Sequence, residues 1–90
     1  MGRQQDNDYK VIKDTMLAVV KAYKQVLIKE LFDITGRRLS NMSHKGQFRK
    51  RVKYSELQDC FKELINEQEI TQLEVKSETK LEVWISLAKV

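Results

Sequence analysis

Side chains able to do covalent or acid–base chemistry are scarce in this sequence of 90 residues, which holds one histidine, His44, and one cysteine, Cys60. His44 stands beside Lys45 in a polar stretch, the setting of a solvated loop histidine more than of a general base. Cys60 falls on the apolar stripe of a helical segment, where a thiol serves as a small core hydrophobe. A lone cysteine also excludes an internal disulfide and a cysteine-based zinc site within the chain. The glycines, Gly2, Gly36 and Gly46, are too scattered to build a phosphate-cradling loop. Glu56, Asp59, Glu63 and Glu67 recur along one helical segment, as charges on an outer helix surface do. The expectation is therefore a chain with no catalytic residues, no cofactor, no metal and no small-molecule substrate.

The residues that remain are cations. From Arg37 to Lys53 the chain carries Arg37, Arg38, Lys45, Arg49, Lys50, Arg51 and Lys53 with no Asp or Glu between them, while the rest of the sequence is slightly acidic. That one stretch holds the whole of the +4 net charge. A local cluster of this kind suits a polyanion, through phosphate neutralisation. Phe48 and Tyr54 lie close enough in sequence to add apolar or stacking contacts. Lys76 and Lys80 flank a predicted hairpin tip, where a second backbone contact is expected. Read blandly, the cluster is a solvated surface, and Arg49-Lys50-Arg51-Val52-Lys53 also has the composition of a nuclear-import signal.

Several elements must position these cations. Residues 1–7 are polar and without period and read as a disordered tail, leaving 8–90 as one domain. From Tyr9 the spacing of Ile12, Met16, Val19, Val20 and Tyr23 predicts a helix over 8–23, with Lys10, Lys13, Asp14, Lys21 and Lys24 on the opposite face. Val26-Leu27-Ile28 predicts a short strand. Ile28, Leu31, Phe32 and Leu39 predict a second helix, weakened at Gly36. Ser40 to Gly46 reads as a loop by composition. Ser55-Glu56-Leu57-Gln58 has the form of a capping box, with Ser55 as N-cap and Tyr54 at the staple position, opening a third helix over 56–68. The period then becomes two through Leu73 and Val75 and again through Leu81, Val83, Ile85 and Leu87, with Ser77-Glu78-Thr79 as the hairpin loop.

Three helices, a short strand and a C-terminal hairpin predict an α+β winged helix-turn-helix, closed when Val26–Ile28 pairs with the hairpin. The exposed set of the third helix, Glu56, Gln58, Asp59, Lys62, Glu63, Asn66 and Glu67, is acidic and disfavours sequence readout in a major groove. The pattern resembles the C-terminal winged-helix domains of origin-recognition and replication-licensing ATPases. The resemblance is carried by Lys29-Glu30-Leu31-Phe32, by Leu57, Phe61 and Leu64, by Ile70 and by Leu81-Glu82-Val83-Trp84-Ile85. It departs where that family writes Leu-Gly-Leu-Ile and this chain has Glu67-Gln68-Glu69-Ile70, and in the long basic insert 41–53. The resemblance implies DNA engagement and subunit contacts in a replication-origin complex, with ATP chemistry elsewhere. The leading expectation is duplex DNA bound mainly through phosphates by Arg37, Arg38, Lys45, Arg49, Lys50, Arg51, Lys53, Lys76 and Lys80, with weak sequence selectivity. The alternative is a protein-interaction winged helix using the hairpin edge or the acidic helix face for a homodimer or a larger complex. No apolar run reaches membrane length, and a single cysteine suits a reducing interior, so the expected location is intracellular: nuclear in a eukaryote and otherwise cytoplasmic.

Overall fold

The computed structural model of the chain describes residues 3–44 and 52–88, with side chains over 8–42 and 52–88. In chain order the elements are α1 (Arg3–Tyr23), β1 (Gln25–Leu27), α2 (Ile28–His44), α3 (Tyr54–Asn66), β2 (Ile70–Lys76) and β3 (Leu81–Leu87). The three strands form one antiparallel sheet in the order β1-β3-β2. The fold is α+β, with α1 packed on both other helices and on β3. Among the described residues no helix is long and apolar enough to cross a membrane.

The core follows from the apolar spacing. Ile12, Met16, Val19 and Val20 of α1 meet Leu31, Phe32 and Leu39 of α2 and Leu57, Cys60 and Leu64 of α3, with Val26, Ile70 and Ile85 contributed by the strands. Ile85 is fully buried and stands opposite Val26 on one side and Gln72 on the other, so the central strand pins the sheet to the helices.

Helix ends depart from the sequence pattern in instructive ways. α1 starts at Arg3, ahead of Asp8, and its first turns are polar. The segment read as a loop from Ser40 continues α2 to His44 instead, because Leu39 and the half-buried Met42 keep that helix's apolar stripe on the core. Ser55 is not the N-cap of α3. Lys53 takes that position with extended backbone (φ −93°, ψ 151°), and its N–H donates to Glu56 Oε1 at 2.9 Å. Only this half of a capping box forms, since a lysine side chain has no acceptor to return to the helix. Tyr54 therefore opens the helix and packs edge-on against Phe32.

α3 ends in a Schellman turn. Gln68 N–H donates to Ile65 O and Glu69 N–H to Leu64 O, both at 3.0 Å, and Gln68 sits at φ 61°. This is the left-handed conformation usually given to glycine.

Register decides what the hairpin exposes. Leu81, Val83, Ile85 and Leu87 lie opposite Lys76, Glu74, Gln72 and Ile70 and share the helix-side face with them. Leu73 and Val75 stand on the other face, opposite Trp84 and Glu82, and Leu27 joins them from β1 opposite Trp84. Leu27, Trp84 and Leu73 thus form an apolar row across all three strands, on the side away from the helices. Residues from Thr71 to Leu81 are exposed, so the distal hairpin stands clear of the helices.

Candidate nucleic-acid interface

Five of the nine cations singled out from sequence fall on described side chains. Arg37 is exposed on α2 and paired with Asp33, Nη2 to Oδ2 at 3.2 Å, which spends part of its charge within the helix. Arg38 is half-buried on the same helix, and Lys53 is exposed at the start of α3. Lys76 and Lys80 flank the hairpin loop, where Ser77 N–H donates to Lys80 O at 2.8 Å and Lys80 N–H to Ser77 Oγ at 3.1 Å. Lys45, Arg49, Lys50 and Arg51 lie outside the described residues, as do Phe48 and the side chain of His44.

The fold brings Lys80 to a lysine that composition did not single out. Leu27, Ile28 and Lys29, where β1 passes into α2, line a groove of about 420 Å³ with Lys80, Leu81, Glu82 and Val83. Lys29 also borders a second cleft, of about 290 Å³, formed with Ile28 and Phe32 of α2 and Tyr54, Gln58, Phe61 and Lys62 of α3. The two grooves share Ile28 and Lys29, so the first turn of α2 links the outer surface of α3 to the hairpin tip. Lys76, paired with Leu81, points by register to the helix-side face of the hairpin. Among the described residues no carboxylate lies within 4.0 Å of the ammonium groups of Lys29, Lys62, Lys76 or Lys80. Lys62 was legible as an outer-face residue of α3. Lys29 was not, since only the crossing of α2 over α3 places it there.

The acids of α3 are largely engaged elsewhere. Lys13 of α1, which the spacing assigns to an outer face, is half-buried and bridges Glu63 at 3.1 Å and Glu67 at 2.8 Å. Lys13 is held above its usual range mainly by the hydrogen bond to Glu67. Glu63 is drawn below the usual carboxylate range by the neighbouring Tyr9 hydroxyl and by Lys13, from which it accepts at 3.1 Å. Burial, with Glu63 nearby, pushes the Tyr9 phenol upward. Glu56 is turned back to the Lys53 backbone. Three of the four acids counted on the exposed surface of α3 are thereby drawn to its α1 side or to its start, because helix periodicity alone does not reveal which neighbour a polar side chain meets. What faces outward is Tyr54, Ser55, Gln58, Asp59, Lys62 and Asn66.

Cys60 is fully buried, and burial pushes its thiol up to about 11, so it stays protonated and unreactive at neutral pH. Among the described residues no cluster of three or more His, Cys, Asp or Glu is placed to hold a metal ion. Comparison of the chain with protein families, curated proteins and solved structures yields no match.

Proposed function

We propose that this chain is a non-catalytic winged-helix module of a replication or chromatin protein, binding duplex DNA mainly through phosphates and with weak sequence selectivity. The element order with β1 closing on β3, and a hairpin standing clear of the helices, supports the winged-helix reading. The observation that carries the DNA reading is the set Lys29, Lys62, Lys76 and Lys80, unpaired cations gathered along α2, α3 and the hairpin tip while Lys13 draws Glu63 and Glu67 aside. Lysine is a compact point charge suited to phosphate oxygens. A protonated, buried Cys60 fits a module without a nucleophile.

Salt-titrated binding to a short duplex tests the proposal. Dissociation constants are expected in the non-specific range, about 10⁻⁴–10⁻⁶ M at physiological salt. With about four phosphates contacted, log K falls against log salt with a slope near −3.6, and removing two of the contacts in Lys76→Ala/Lys80→Ala brings it near −1.8. No association even at low salt removes the reading.

The second reading, a protein-interaction winged helix, draws on the apolar row Leu27, Trp84 and Leu73, with Leu73 55% exposed. Sedimentation separates the two. A monomer whose only association is salt-sensitive and with DNA favours the first, and a dimer indifferent to DNA favours the second.

A further inference from the structure

The cleft between α2 and α3 offers more than phosphate binding requires. Phe32 meets Tyr54 edge-on, with ring centroids 5.4 Å apart and planes at 80°, and meets Phe61 in the same way at 5.6 Å and 83°. Phe32 is buried and Phe61 half-buried, whereas Tyr54 is 61% exposed and presents open ring surface among the described residues. Ile28 adds apolar lining, Gln58 contributes an amide with both donor and acceptor, and Lys29 and Lys62 complete the border. At about 290 Å³ the space falls just below the usual range for ligand sites, about 300–1,000 Å³, and suits one planar ring system.

Aromatic surface bordered by cations is how proteins hold unpaired bases. The base stacks on the ring, the cations take adjoining phosphates, and the contact tolerates any base. An acidic peptide with an aromatic side chain has related chemistry, since a lysine ammonium meets a carboxylate as readily as a phosphate, so the cations alone do not choose between them. Gln58 is also suited to a base edge, which needs donor and acceptor side by side.

We propose that this cleft receives a single unpaired nucleobase, so that the chain prefers DNA bearing an unpaired nucleotide, at an end or in a bulge, over continuous duplex. The proposal rests on the DNA reading above and narrows its substrate.

Fluorescence anisotropy with a blunt duplex, the same duplex with a one-nucleotide overhang, and the same duplex with a one-nucleotide bulge tests it, with aminopurine as the unpaired base. Binding is expected to be about tenfold tighter when an unpaired base is present, with aminopurine emission quenched on binding. Tyr54→Ala is expected to erase the preference and the quenching and Tyr54→Phe to retain both, whereas Lys76→Ala/Lys80→Ala weakens binding to all three probes alike. Equal affinity for all three probes without quenching overturns the base site and leaves duplex binding standing. Absence of binding to every probe overturns the DNA reading itself. Tyr54-dependent binding of an acidic tryptophan-containing peptide, without any preference among the DNA probes, overturns the proposal in favour of a protein partner.

Discussion

Thr35 is fully buried in α2, and its Oγ1 is the buried side-chain oxygen that finds no hydrogen-bond partner among the described residues. An unsatisfied buried hydroxyl is destabilising, and replacing it with a methyl of the same shape removes that cost. Thr35→Val is expected to raise stability by about 1 kcal/mol, visible as a melting temperature higher by about 4–8 °C. The Lys13–Glu63–Glu67 bridge predicts the pH response. Glu63, held low, contributes fully above the ordinary carboxylate value of about 4.3, and its contribution is lost as pH falls through its lower folded value. Lys13, held high, contributes below about 10.4 and loses its contribution as pH rises through its folded value. Lys13→Ala is expected to cost about 1 kcal/mol near neutral pH and to flatten the fall in melting temperature below about pH 5, as calorimetry would show. Neither residue's role was legible from spacing. Periodicity marks Lys13 as polar and outward, and only the packing of α1 along α3 turns it into a clamp.

The elements themselves were largely legible, and their ends were not. α1, α3 and β3 follow the apolar period because burial of one face dictates it, whereas β2 alternates with Leu73 and Val75 left exposed. The Ser55 cap and the loop from Ser40 were misread because local composition weighs less than the apolar anchors Tyr54 against Phe32 and Met42 against the core. Two elements carry correctable backbone costs. Gly36 lies inside α2, and a Cβ there would meet nothing within 4 Å. Gln68 holds a left-handed conformation at the end of α3. Gly36→Ala and Gln68→Gly are each expected to stabilise by about 1 kcal/mol, the first through helix propensity and the second through relief at the turn. Measured together in denaturant titrations, the two gains should add, because the sites lie in different helices without a shared partner.

At the scale of the whole molecule, the sheet separates two surfaces. One carries Lys76 and packs on the helices, and the other carries the apolar row Leu27, Trp84 and Leu73, whose Leu27 end also borders the groove of Lys29 and Lys80. Alternation in β2 and β3 was plain from sequence, but which face each set occupies depends on register, and the pairing of Leu73 with Trp84 sets the β2 apolar residues opposite to those of β3. The basic stretch was legible as a charge imbalance. The site was not, since Lys29 and Lys62 come together only through the helix crossing, and most of the stretch itself falls outside the described residues. Trp84 is the chain's single tryptophan and stands between Leu27 and Leu73 on the central strand. The molecule thus carries a built-in optical reporter whose emission follows the integrity of the ribbon.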